Sequence, residues 1–196
     1  MPDRPNVLVV LCDQLRRQAL SCYGDPNVST PNIDRLASEG ARFENACSAY
    51  PICVPARFSL FTGEHGHSRH AHNGWRMSPA ERTFADAFSE PGYRTALVGK
   101  WHLADVPMWQ PIPREHRGGF EHWRAFEVRN QPFETYYFAD DDPEPRDIEG
   151  YQTDGLTDLT VEFVEAQAET GEPFCAVLSV EPPHPPFTAP EAYLDR

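Results

Sequence analysis

The strongest constraint on the fold is the run NVLVVLC at residues 6–12, unbroken in its apolar character and stopped by Asp13. Such a run reads as a strand buried on both faces, as in a parallel sheet. Two later stretches, YRTALVG (93–99) and PFCAVLSV (173–180), read as further strands, and ARFENAC (41–47) reads as one more. Helical segments lie between them. Thr30 as N-cap, Pro31 at the first helical position and Gly40 at the end frame a short helix. Residues 55–62, 80–90 and 154–168 carry helical periodicity. Strands alternating with helices predict an α/β fold with a mostly parallel central sheet flanked by helices. Residues 104–150 are rich in proline, aromatic and acidic residues, including DDDPEPRD (140–147), and read as a long excursion over the surface.

A chain of 196 residues is long enough for one domain with its own core. The formal charge of −13 argues against nucleic acid as a partner, because phosphate backbones need basic patches. No apolar run approaches the ~18 residues of a membrane span. The start, MPDRPNVLVVLCDQ, has neither a basic region nor a small-residue cleavage site, so a cytoplasmic location is expected. Five cysteines (Cys12, Cys22, Cys47, Cys53, Cys175) form an odd set without a C-x-x-C pair. That predicts reduced thiols and no cysteine zinc site.

The polar residues that follow the strands are the candidates for chemistry, because ligands bind at the carboxyl edge of such sheets. Asp13 and Gln14 follow the first strand and offer two oxygen donors to a hard metal ion, although an aspartate there is more often a turn or a cap. Lys100 is the sole lysine of the chain and stands two residues from His102. In an extended segment the two point the same way, one able to bind an anion and the other to act as a base. His184 lies in the proline-framed loop EPPHPPF, which stiffens its position. In CVPARFSLFTG (53–63), Cys53 stands at a helix start, where the dipole and free amides favour an anion. Arg57 lies one turn on and suits a tetrahedral oxyanion. A buried thiol beside a surface arginine fits those residues equally well. His65, His67, His70 and His72 read as a loop at the rim of the pocket rather than a zinc site.

Taken in order, NVLVVLCDQ, TPNIDRLASEGARFENA, CVPARFSLFTG, GYRTALVGKWHL and SVEPPHPPF resemble the type I sulfatases of the alkaline phosphatase superfamily, over about residues 5–190. The resemblance implies that Cys53 is the precursor of formylglycine, made by a formylglycine-generating enzyme. The hydrated aldehyde attacks the sulfur of a small-molecule or saccharide sulfate ester beside a divalent metal, usually Ca²⁺, with Mn²⁺ or Mg²⁺ as alternatives. It further implies Asp13, Gln14 and residue 53 as metal ligands, and Arg57 as the residue that steadies the formylglycine. His102 becomes the base that opens the adduct, and Lys100 and His184 bind sulfate oxygens. Gln14 departs from the second aspartate found in many members. Relatives continue well past the His184 loop with further metal ligands. The chain therefore reads as the N-terminal portion of the family domain, incomplete at its C-terminus, and is not expected to turn over substrate alone. A phosphonate monoester or phosphodiester hydrolase of the same superfamily, and a non-catalytic fragment, are the competing readings.

Overall fold

The structure is a computed structural model that describes residues 4–104 and 106–194. Residues 1–3, which entered the reading of the N-terminus, lie outside the described residues, as do 105 and 195–196. Six strands form one sheet: β1 (Val7–Cys12), β2 (Arg94–Lys100), β3 (His122–Phe126), β4 (Thr135–Ala139), β5 (Pro145–Ile148) and β6 (Phe174–Val180). Their order across the sheet is β1-β6-β2-β3-β4-β5. The first four in that order are mutually parallel, β4 pairs antiparallel with β3, and β5 pairs antiparallel with β4. The helices are α1 (Pro31–Glu39), α2 (Cys53–Thr62), α3 (Phe84–Ser89) and α4 (Gln152–Thr170).

The two-residue period of the strands sorts their side chains onto two faces. On one face, Leu97, Trp123, Ala125 and Val177 pack with Val54, Phe58 and Phe61 of α2 and with Ala85 of α3. On the other, Val98, Phe126, Leu178 and Val180 pack against Leu156 of α4, while Ala96 and Ala176 meet Phe163. Capping residues set the helix ends. Thr83 and Asp86 form a reciprocal capping box at α3, and Gly63 and Gly171 close α2 and α4 in the left-handed conformation.

Three sequence expectations change. Residues 104–150 are not a surface excursion throughout, because β3, β4 and β5 extend the central sheet and bury Trp123, Phe126, Phe138 and Ile148. ARFENAC (41–47) forms no strand, and Phe43 lies 70% exposed. β1 is an edge strand. Val9 packs into the core, but Leu8 and Val10 on its other face are 49% and 58% exposed because α4 covers β2 and β6 and stops short of them.

Candidate active site

β1, β2 and β6 all run parallel, so their C-terminal ends reach the same sheet edge, and that edge gathers the polar residues. The Asp13 amide donates to Val180 O at 3.0 Å, which sets the carboxylate beside β6. Lys100 is the last residue of β2 and is 1% exposed, so its ammonium needs a partner inside the protein. It has two: Nζ lies 2.5 Å from Asp13 Oδ2 and 3.7 Å from Glu181 Oε1. Arg57, 3% exposed, projects from α2 into the same space. Its Nη1 donates to Lys100 O (2.9 Å) and Ser179 Oγ (3.0 Å), and its Nη2 stands 3.9 Å from Asp13 Oδ2. Nε and Nη2 are buried with no hydrogen-bond partner. Buried donors left open in this way fit a site that an anionic group completes.

Cys53 is the first residue of α2. Its Sγ lies 3.8 Å from both carboxylate oxygens of Asp13. His184 joins them: ligand-capable atoms of Asp13, Cys53 and His184 all fall within 4.8 Å of one another. The Nδ1 of His184 is 2.8 Å from Pro185 O. A carbonyl can only accept, so Nδ1 carries the proton and Nε2 is left free. The electrostatics follow from this crowding. Burial pushes the Asp13 carboxyl up, but Lys100 and Arg57 outweigh it and hold the group below its ordinary value. His102 is pushed down to about 3, first by burial and then by Lys100, Arg57 and Arg76, so its imidazole is neutral at pH 7. Its Nδ1 is buried without a partner.

Gln14 sits with φ +65° and lines, with Asp13, Ser48, Ile52, Cys53 and Arg57, a cavity of about 580 Å³. The structure thus brings Asp13, Cys53, Arg57, Lys100 and His184 into contact range and leaves Gln14 at the rim of the same cavity. The histidine-rich loop does not line that cavity, contrary to expectation. His65 and His67 stack on one another 5.2 Å apart, and only Asn73 reaches the site, with Oδ1 3.5 Å from the Val54 amide.

Two buried carboxylates escaped the sequence reading. Glu181, the residue after β6, accepts from the amides of Arg129 (2.9 Å) and Asn130 (2.7 Å) and from Gln152 Nε2 (3.0 Å), besides facing Lys100. Glu127, the residue after β3, accepts from the Ala104 amide at 3.3 Å. Both follow strands directly, at the edge that holds the other candidates, and that position was the available signal.

The mostly parallel sheet flanked by helices is the alkaline-phosphatase-like α/β fold of the sulfatase structures it superposes on. The profile of the sulfatase family matches residues 5–196, and the chain belongs to that family. It is 37% identical over 196 residues to the ulvan-active sulfatase of Formosa agariphila, covering 99% of this chain and 38% of that protein. It is 33% identical over 184 residues to the N-acetylglucosamine-6-O-sulfatase of Bacteroides thetaiotaomicron, covering 92% of this chain and 31% of that protein. Among solved structures, the yidJ protein of Bacteroides fragilis superposes with TM-score 0.87 at 30% identity, over 96% of this chain and 46% of that one. The phosphonate monoester hydrolase of Agrobacterium radiobacter superposes with TM-score 0.68 at 27% identity, over 97% of this chain and 43% of that one. The chain spans about a third of the length of the two curated relatives. Among the described residues, no helix is long and apolar enough to cross a membrane.

Proposed function

We propose that the protein hydrolyses sulfate esters where Asp13, Cys53, Arg57, Lys100 and His184 meet, with His102 two residues beyond Lys100. The observation that carries this reading is the pair of buried cations, Arg57 and Lys100, set around the Cys53 end of α2 with guanidinium donors still open. A permanently charged fork and a compact ammonium suit a tetrahedral oxyanion. Cys53 Sγ stands where the oxygens of an oxidised and hydrated residue 53 would lie, and that modified residue supplies the nucleophilic hydroxyl. Arg57 holds the sulfate by its open donors, and Lys100 adds charge at the other side of Asp13. His184, with Nε2 free, hydrogen-bonds a sulfate oxygen once protonated, or takes a proton when neutral. His102 is neutral at pH 7 and so has a lone pair for the proton that residue 53 must release.

The donors present fit a hard divalent cation in kind. The carboxylate of Asp13 and the amide oxygen of Gln14 would hold it together with residue 53. Ca²⁺ takes about six to eight oxygens, so these residues supply part of its shell, and Mg²⁺ or Mn²⁺ accept the same donor types. Such an ion, when bound, polarises the ester oxygens as a Lewis acid.

The relatives' specificities point to a sulfated saccharide as substrate. Maturation of Cys53 requires a formylglycine-generating enzyme as a partner. The test is turnover of an aryl sulfate against a phenylphosphonate monoester by the protein carrying this chain. Mass spectrometry of the Cys53 peptide is run alongside to establish the aldehyde. Sulfate preferred, with activity abolished in Cys53→Ala, is the expected result. A preference for the phosphonate, whose hydrolase shares the fold at a lower TM-score, would replace this reading with that one.

A further inference from the structure

We propose that Glu127 is the positioning residue for His102, holding the turn Trp101–Ala104 in place through the Ala104 amide and a buried contact with Arg76. The inference rests on the reading of His102 as the base. That turn needs holding. His102 has φ +57°, a left-handed conformation that a residue with a β-carbon adopts at a cost of roughly 1–2 kcal/mol. The backbone on either side is pinned by neighbours. Trp101 N donates to Phe126 O at 2.8 Å, Met77 N donates to Leu103 O at 2.9 Å, and Ala104 N donates to Glu127 Oε2 at 3.3 Å. Glu127 is the only side chain of the three anchors, and it is 2% exposed.

Its other oxygen, Oε1, has no hydrogen-bond partner and faces Arg76 Nε at 3.9 Å, which is likewise buried and unpartnered. Arg76 is fixed in turn, since its Nη1 donates to the carbonyls of Trp75 (2.9 Å) and Asn73 (3.3 Å). The same loop supplies the Asn73 contact to Val54 beside Cys53. One buried ion contact therefore joins the end of β3, the 73–77 loop and the His102 turn. The groups facing the Glu127 carboxyl are the amides of Ala104 and Leu103, Arg76 and, further off, Arg57. Burial against so few partners pushes the carboxyl up to about 7. Those facing His102 are Lys100, Arg57, Arg76 and Asp13. No step assigned above uses Glu127, and its buried carboxylate otherwise lacks a reason.

The test reads the His102 ring by ¹⁵N NMR as a function of pH, in the chain with Glu127, Glu127→Gln and Glu127→Ala. Both variants remove the same carboxyl, and only Gln keeps an acceptor for Ala104. Near pH 3 the Glu127 carboxyl is already protonated, so its loss changes no charge there, whereas releasing the turn into water raises the His102 pKa from about 3 towards 6.5. The expected result is a rise of roughly one unit or more in Glu127→Ala, a tenfold change in proton affinity, with Glu127→Gln much closer to the parent. His122 is the control, because it is also pushed down, to about 4, from the far end of β3. If Glu127→Ala does not fold, Glu127→Asp keeps the charge and draws the acceptor back by one methylene. An unchanged His102, or a joint shift of His102 and His122 that marks general loosening, would overturn the proposal. Where the protein turns over an aryl sulfate, kcat falls and KM stays within about twofold. Absence of turnover by the whole protein that carries this chain, with residue 53 converted, would refute the sulfatase reading and leave the ring measurement intact, so the two failures are separable.

Discussion

Gly99→Ala tests whether the site depends on the close approach of β2 to β6. Gly99 pairs with Ser179 in the parallel ladder and has φ +105°, where residues with side chains are rarely found. A Cβ built there lies 2.1 Å from Ser179 O, 2.9 Å from Ser179 C and 3.2 Å from Leu156 Cδ1. The nearest obstacle is backbone, so the strands must part. Parting them pulls on Lys100 O and Ser179 Oγ, the two acceptors of Arg57 Nη1. The conformational strain is about 1–2 kcal/mol, and uncoupling a buried guanidinium from its acceptors costs about 1.5–3 kcal/mol more. With the lost ladder contacts the total reaches roughly 4–6 kcal/mol, a large share of the 5–15 kcal/mol that a domain possesses. Urea denaturation followed by circular dichroism measures it, with the slope checked for constancy. Gly171→Ala is the matched control. Its φ is +69° and nothing lies within 4 Å of the added carbon, so its loss is about 1 kcal/mol. Equal losses in the two variants would refute the reasoning, because they would show that the clash with Ser179 is relieved at no cost.

Glu127→Gln should flatten the pH dependence of stability. The carboxyl sits at about 7 in the folded chain against an ordinary 4.5, so its contribution is fully present below 4.5 and lost as pH rises through 7. Urea midpoints should show the variant more stable at pH 8 by about 3 kcal/mol and no more stable at pH 4.5. Glu181→Ala strips the acceptor from the Arg129 and Asn130 amides and from Gln152, and leaves Lys100 with Asp13 alone. A loss of about 3–5 kcal/mol is expected, with those two amides losing protection in hydrogen exchange. Arg57→Lys keeps the charge but loses the fork, and should weaken inhibition of turnover by inorganic sulfate at least tenfold, or about 1.4 kcal/mol.

Much of this was legible in the residues. The apolar runs gave β1, β2 and β6, and each ends within a residue or so of its predicted limit. Pro31, Gly40 and the residues after Cys53 announced α1 and α2. What failed has physical causes. HWRAF, TYYFA and PRDI are only four or five residues long, the first and last carry charge or proline, and pairing in turn from the edge of β2 makes them a sheet. ARFENAC has the alternation of a strand but joins neither edge of the sheet. β1 reads as doubly buried because its apolar run is continuous, and coverage by other elements is not written in a strand's own letters. The site residues after strand ends could be named, yet Glu127 and Glu181 could not. A glutamate after a strand looks like a solvated turn until a buried cation is found beside it.

The exposed face of β1 bears on how Asp13 is held. Asp13 rides on a strand clasped from one side, by β6, among the described residues, whereas Lys100 and Glu181 stand on strands with neighbours on both sides. Whatever bridges Asp13 to residue 53 therefore also fastens β1 to the body of the sheet, and its affinity is shared with the docking of that strand. At a hundred times its Kd, such a ligand adds about 2.7 kcal/mol to the bound form. The amides of Val7–Cys12 thus serve as a gauge of occupancy, exchanging more slowly as the site fills.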